Sequence, residues 1–167
     1  FNVDSASPTI DFVSPTETNN TFLRRGNIMI NVTAVDGGLS NITIELFNST
    51  GLVNRTTTAT SPNYVNITSL INGTYYFNAT ATDSQNNANS TLTRTIYIDT
   101  QNPVVNLIAP GNNTLATSVG HSFNATFTDN IQLANATFSL WNSSGALVNS
   151  TARALSGTSG SVNLSVT

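Results

Sequence analysis

The chain has 167 residues, of which only 8% are charged, and its formal net charge is −3. Lysine is absent and the five arginines are scattered, which disfavours a nucleic-acid or anionic-lipid partner because both need clustered cations. Cysteine is also absent, which excludes disulfides, thiolate metal sites and a cysteine nucleophile. No apolar run approaches the ~20 residues that span a bilayer, and we expect no membrane span in this segment.

A long internal repeat divides the sequence. Residues 4–15 recur as residues 99–110, with the aspartate, both prolines and the apolar positions between them in register. This predicts two tandem units, at 4–98 and 99–167, with residues 1–3 forming the tail of a preceding repeat or an N-terminal strand. We therefore expect the chain to be part of a longer array.

Short strands with strict apolar–polar alternation follow one another along the first unit, and no segment has a convincing helical period. The predicted strands are A around residues 10–13, B at 27–35, C at 41–47, an edge strand at 52–58, E at 63–69, F at 74–83 and G at 90–98. The register of strand G is ambiguous because Arg94 has the same parity as Leu92 and Ile96, and a bulge or a change of face would resolve it. The predicted fold class is all-β.

The second unit repeats this pattern but has no counterpart of residues 73–98 of the first unit, which contain strands F and G. We therefore predict an incomplete sandwich with an unpaired strand edge and an open core. Two explanations remain. The strands are supplied either by chain that continues beyond this sequence or by a neighbouring subunit.

The segment 70–83 resembles the corner between strands E and F of immunoglobulin-like and fibronectin type III-like domains, in which a tyrosine at the start of strand F hydrogen-bonds back across the corner. Tyr75 matches that tyrosine. The aspartate and paired prolines that open each repeat are similar to those of Ig-like repeats in bacterial and archaeal cell-surface proteins. The resemblance implies two tandem Ig-like β-sandwiches, the second without its last two strands. Phe47 and Trp141 lie near the position of the family's buried tryptophan, but alternation places them on the polar face.

The sequence is dense in the acceptor pattern for N-linked glycans, Asn-x-Ser/Thr. It occurs at 15 of the 25 asparagines, whereas about 7 are expected by chance from the share of serine and threonine. Outward polar pairs on half-buried strands are the alternative explanation, but asparagine is a poor strand former and threonine alone would suit that face better. We therefore expect N-linked glycans at Asn19, Asn31, Asn41, Asn48, Asn54, Asn66, Asn72, Asn78, Asn89, Asn112, Asn124, Asn135, Asn142, Asn149 and Asn163.

Three aspartates are placed where they could meet at one pole of the first sandwich. Asp4 precedes strand A, Asp36 ends strand B and Asp83 ends strand F. Oxygen ligands of this kind suit Ca²⁺, so the three are candidate calcium ligands. Capping of turns is the alternative role for each of them.

Catalysis finds little support in the sequence. His121 is the only histidine, and the two glutamates, Glu17 and Glu45, are not close in sequence, so no carboxylate pair or triad is indicated. We expect that the protein has no enzymatic activity and needs no cofactor, and that it carries N-linked glycans.

The resemblance implies an extracellular structural protein of the cell surface: a stalk, an S-layer-like layer, or a filament joined by strand donation. Its partners would be copies of itself or adjacent repeats. The combination of no cysteine and many sequons favours an archaeal source. The alternative is an adhesin or carbohydrate-binding module, which should gather exposed aromatics on one face. Tyr64, Tyr76, Tyr97 and Trp141 are predicted to be dispersed, which disfavours that alternative.

Overall fold

A computed structural model describes residues 4–115, 117 and 120–166 of the chain. The predicted strand at residues 1–3 lies outside the described residues. The chain divides into two compact units, Phe1–Thr100 and Gln101–Thr167, so the division falls two residues after the predicted boundary. All regular secondary structure in the described part is β, and none of it is a helix that could cross a membrane.

Unit 1 contains nine strands, most of which coincide with the predicted ones. They are β1 (Thr9–Phe12), β2 (Thr21–Leu23), β3 (Ile28–Val35), β4 (Leu39–Asn48), β5 (Gly51–Thr58), β6 (Asn63–Ile67), β7 (Gly73–Asp83), β8 (Ala88–Ser90) and β9 (Arg94–Ile98). One sheet has the order β1-β3-β6, and the other has the order β2-β9-β7-β4-β5 with β8 also paired to β7. Unit 1 therefore has the expected Ig-like and fibronectin type III-like β-sandwich fold.

The core of unit 1 lies between the inner faces of the two sheets. Alternation accounts for it directly, since Ile28, Ile30 and Val32 of β3 are fully buried while the residues between them point outward. The same pattern on β4 and β7 buries Ile42, Ile44, Leu46, Tyr75, Phe77, Ala79 and Ala81. Two inner faces that interdigitate in this way form a core about 10 Å thick.

Two features of unit 1 differ from the sequence-based expectation. Strand β2 is not among the predicted strands. It pairs parallel to β9, so the chain passes from the sheet that contains β1 to the sheet that contains β9. The predicted strand G is broken into β8 and β9, and Leu92 between them is 89% exposed instead of inward. The break lets Arg94 lie over the Phe12 ring, 4.4 Å from its centroid, while its Nη1 donates to the Glu17 carbonyl.

The tyrosine corner that the resemblance implies is present. The Tyr75 side chain is 3% exposed, and its hydroxyl donates a hydrogen bond of 3.0 Å to the Ile71 carbonyl. The bond ties the first residues of β7 to the loop that precedes it. It thereby fixes where the strand enters the sheet.

We expect Tyr75→Phe to lower the free energy of unfolding of unit 1 by about 1 kcal/mol, since one buried hydrogen bond is lost while the ring is kept. This corresponds to a fall of about 4–8 °C in Tm. Calorimetry of the variant measures it. The control is Tyr76→Phe on the outer face of the same strand, and an equal fall in both variants would contradict a role for the corner bond.

Unit 2 contains five strands: β10 (Val104–Ala109), β11 (His121–Thr128), β12 (Asn135–Trp141), β13 (Leu147–Ala154) and β14 (Ser159–Val166). They form a three-stranded sheet of order β10-β11-β14 and a separate pair, β12-β13. These strands correspond to β1, β3, β4, β5 and β6 of unit 1. Counterparts of β7 and β9 are absent from the described residues.

Candidate functional site

The open cleft of unit 2 is the largest departure from a closed sandwich. In unit 1, the inward residues of β1 are covered, and Ile10 is 9% exposed. At the corresponding positions of β10, Val105 is 62% exposed and Leu107 is 57% exposed. Apolar side chains placed for a core are therefore in contact with solvent.

The cleft has a volume of about 310 Å³ and lies between β10, β11 and β12. Its lining is mainly apolar and consists of Val105, Leu107, Ala125, Phe127, Thr137, Phe138, Ser139 and Trp141. Phe138, one of the lining residues, packs against Phe123 with ring centroids 5.9 Å apart. The cleft has the apolar lining that an inserted strand would cover.

The exposed edge of β12 accompanies this cleft. Its counterpart in unit 1, β4, pairs with β5 on one side and with β7 on the other, where nine residue pairs form the ladder. Within the described residues β12 pairs only with β13. An unpaired edge next to an apolar cleft is the arrangement that accepts an additional strand.

The sequons lie at accessible positions throughout the described chain. Each of the 15 asparagines named above is exposed or half-buried, and none is buried. Among the residues that the structure describes, the one buried asparagine is Asn63, which is followed by Tyr64 and Val65 and is not a sequon. The acceptor pattern is thus confined to positions from which an attached glycan can extend into solvent.

Among the described residues, two sequons use the amide nitrogen that would carry a glycan for a hydrogen bond to a backbone carbonyl. Asn31 Nδ2 donates to the Ser14 carbonyl at 2.8 Å, and Asn89 Nδ2 donates to the Pro8 carbonyl at 2.9 Å. The Oδ1 atom of Asn31 is buried and has no hydrogen-bond partner among the described residues. Asn31 is therefore the most obstructed acceptor in the folded chain.

Sequence reasoning missed the role of Asn63. Its Nδ2 donates to the Ile42 carbonyl at 3.0 Å and to the Thr56 carbonyl at 3.3 Å, which joins β6 of one sheet to β4 and β5 of the other. The signal was available, because Asn63 shares the parity of Val65 and Ile67 on strand E. Alternation alone places it inward.

The structure brings Asp4, Asp36 and Asp83 together. One carboxylate oxygen of each lies within 4.8 Å of the others. Each carboxylate also accepts hydrogen bonds from its own turn: Asp4 from the Ala6 N–H, Asp36 from the Gly38 N–H, and Asp83 from the N–H groups of Gln85 and Asn87. Three carboxylates so close suit Ca²⁺, but these bonds account for each aspartate as a turn cap, and we assign no ion.

Asp83 is the most constrained of the three, being 1% exposed. Burial raises the pKa of its carboxyl, but hydrogen bonds from the Asn87 side chain and from the Asn87 and Gln85 N–H groups outweigh burial and lower the pKa below its ordinary value. The Asn87 amide also donates to the Asp4 carbonyl at 3.1 Å. Asp83 thereby anchors the loop after β7 to the start of β1.

We expect Asp83→Asn to lower the Tm of unit 1 at neutral pH, because the variant loses the carboxylate that accepts these bonds. A carboxyl whose pKa is lowered on folding contributes stability above its unfolded pKa of about 3.9, and loses it as the pH falls through the folded pKa. The difference in Tm between wild type and variant should therefore narrow below pH 4 in a thermal-melt series. Asp11→Asn, at an exposed position of β1, is the control. A difference in Tm between wild type and Asp83→Asn that does not change with pH would contradict a role for the Asp83 charge.

The aromatic residues are less dispersed than the sequence predicts. Phe22, Phe47, Tyr76 and Tyr97 lie together on the outer face of the six-stranded sheet of unit 1, and we call them the outer aromatic row. Phe22 pairs with Tyr97 across β2 and β9, and their rings stack with centroids 4.5 Å apart. Tyr76 pairs with Phe47 across β7 and β4. Tyr64 and Trp141 are on other strands, as expected.

Comparisons with known proteins add little to this geometry. No protein-family model and no curated protein matches the chain. Among solved structures, it is similar to the fibronectin(III)-like modules of CbhA from Clostridium thermocellum, with 20% identity, a TM-score of 0.43, and coverage of 93% of this chain and 78% of that chain.

Two much larger proteins are also similar to the chain. Latent dimeric PorU from Porphyromonas gingivalis has 16% identity and a TM-score of 0.43, with coverage of 96% of this chain and 17% of that chain. Salmonella alpha-2-macroglobulin has 7% identity and the same TM-score of 0.43, with coverage of 99% of this chain and 15% of that chain. Likenesses at these values carry no argument about activity or partner. The β-sandwich architecture follows from the strands and sheets described above.

Proposed function

We propose that this chain is a non-catalytic structural repeat of an extracellular surface protein, and that unit 2 is completed by a strand from another repeat. The observation that supports it best is the cleft of unit 2, where core residues are exposed beside the free edge of β12. Covering a valine or leucine side chain contributes about 1.5–3 kcal/mol. A strand that covers Val105 and Leu107 and pairs with β12 would therefore gain several kcal/mol of binding free energy from apolar burial.

The incoming strand should resemble β7. In unit 1, β7 presents Tyr75, Phe77, Ala79 and Ala81 to the core while its backbone pairs with β4. A strand with the same alternation from an adjacent repeat or a copy of the chain would fill the cleft in the same way. Repeats joined by such ladders form a stalk, a layer or a filament.

We expect a synthetic peptide of residues 73–83 to bind unit 2 and to shift the fluorescence of Trp141 to shorter wavelength. Trp141 is the only tryptophan and lines the cleft, so selective excitation reports on this site alone. The peptide should also raise the Tm of unit 2. The control peptide has asparagine in place of Phe77, which is fully buried in unit 1. Equal responses to both peptides, or no response to either, would count against strand acceptance.

Electron cryo-microscopy of assembled native material would identify the source of the strand. Density that enters the cleft from a neighbouring subunit would establish a filament joined by strand exchange. Density continuous with residue 167 would establish a chain of linked repeats. A map with no additional strand beside β12 would contradict the proposal.

We also propose that the chain is densely N-glycosylated. The support is the accessibility of all 15 sequon asparagines and the scarcity of charge, which leaves the surface dependent on uncharged groups for its solubility. Glycans projecting from both sheets would shield the sheet faces.

Glycopeptide mass spectrometry of the native protein tests this proposal site by site. We expect occupancy at the exposed sequons, such as Asn66, Asn142 and Asn163, and a bare Asn31, whose amide is bound to the Ser14 carbonyl. Bare asparagines at most of the sequons would contradict the proposal. A glycan on Asn31 would show that modification there does not depend on the folded geometry.

A further inference from the structure

The outer aromatic row is an exposed apolar strip on a sheet face that is otherwise polar. Phe22 is 48% exposed and Tyr76 is 40% exposed. Leu52, which is 49% exposed and pairs with Phe47 across β4 and β5, extends the row toward the sheet edge. An apolar strip that crosses several strands of a sheet is an association or aggregation risk unless it is covered.

A sequon lies within this row. Asn78 and Tyr76 are two residues apart on β7, and both point outward because Tyr75, Phe77 and Ala79 are buried. The rise of a strand places their Cα atoms about 6.6 Å apart. Thr80, the hydroxyl residue of the sequon, follows on the same face. The first sugar on Asn78 Nδ2 would therefore stand beside the Tyr76 ring, and Phe47 is the partner of Tyr76 across the ladder.

The Asn78 amide is available for modification. It is half-buried, and its only hydrogen bond among the described residues is a long one of 3.5 Å to Thr93 Oγ1. This contrasts with Asn31, whose amide donates to a backbone carbonyl at 2.8 Å. A glycan at Asn78 would disrupt little of the fold.

The chemistry around Asn78 suits a sugar. Across the ladder Asn78 is paired with Glu45, and the other outward side chains around it are aromatic or carry hydroxyl groups, including Thr43, Thr74, Thr80 and Thr95. The nearest charges, those of Glu45 and Arg55, neutralise each other in an ion pair, with Arg55 Nε 2.7 Å from Glu45 Oε1. A pyranose ring has an apolar face of C–H groups and a rim of hydroxyls, so it can stack on the rings and hydrogen-bond to the hydroxyls around them.

We propose that the N-glycan on Asn78 folds back over Tyr76 and Phe47 and covers the outer aromatic row. The inference rests on the proposed glycosylation and specifies one site and one role within it. Because the glycan is tethered beside the row, its effective concentration there is in the millimolar range or higher. It therefore competes successfully for this face with a free saccharide or a second copy of the chain.

Asn41 provides a matched control. It is also half-buried, also belongs to a sequon, and points outward from β4 on the same sheet face. Its partner across the ladder is Thr82, whereas that of Asn78 is Glu45, which is two residues from Phe47 on the same face of β4. Removal of its glycan changes the same kind of site at the other end of the sheet.

The test compares Asn78→Gln with Asn41→Gln in the chain secreted from a glycosylating host, and in the unglycosylated chain from bacterial cytosol. We expect Asn78→Gln to lower the Tm of unit 1 by about 4 °C only in the glycosylated chain. Asn41→Gln should change it by about 1 °C or less in either preparation. In a Tyr76→Thr background, the effect of Asn78→Gln should disappear.

A second measurement does not depend on stability. Nitration of Tyr76 by tetranitromethane, followed by peptide mass spectrometry, reports directly on access to its ring. We expect the glycosylated chain to be nitrated several-fold more slowly at Tyr76 than its Asn78→Gln variant. The Asn41→Gln variant should be nitrated at the wild-type rate.

The outcomes separate this inference from the proposed function. A glycan on Asn78 with equal Tm changes in the two variants and unchanged nitration would overturn the inference alone. An unglycosylated Asn78 among occupied sequons would also overturn the inference, but it would not contradict the proposal that the surface is glycosylated. A chain without glycans at any sequon would overturn both.

Discussion

The ladder between β4 and β7 is the contact on which unit 1 depends. It joins the β4–β5 pair to β9 and β2, and it brings the alternating residues of β7 over the inner face of the other sheet. Ion pairing contributes little to this ladder, since the Glu45–Arg55 pair beside it lies at the surface, where such pairs are worth little. Unit 2 shows the same strands without that ladder, and its core stays open at the corresponding place.

The outer faces have a chemistry of their own. Where most proteins place lysine and glutamate, this chain places asparagine, serine and threonine. Amides and hydroxyls keep the sheet faces wet without repelling one another, but they give little protection against association. A coat of glycans would supply that protection, and the asparagines on the strands would be its attachment points. Asn63 is buried and has the opposite task, because its amide holds two sheets together.

Strand positions, sheet composition and the tyrosine corner were predictable because they depend on alternation and on a local turn. Convergence of the three aspartates followed from the strand ends that share one pole. The outer aromatic row was not predictable, because Phe22 lies in the unpredicted strand β2, and the parity of Tyr76 and Tyr97 does not reveal the register that brings the rings together. The break in strand G and the parallel pairing of β2 also depend on tertiary contacts, which local pattern does not contain.

The position of Asn63 limits how this sequence can vary. Val65, two residues later, is half-buried on a strand, a setting in which valine and threonine have nearly the same shape. Threonine at that position would create an acceptor at an amide that must stay inside the sandwich. In a cell that attaches glycans before the chain folds, such a change would prevent the sheets from closing. Under the proposed glycosylation, an ordinarily mild exchange is thus hazardous in the core.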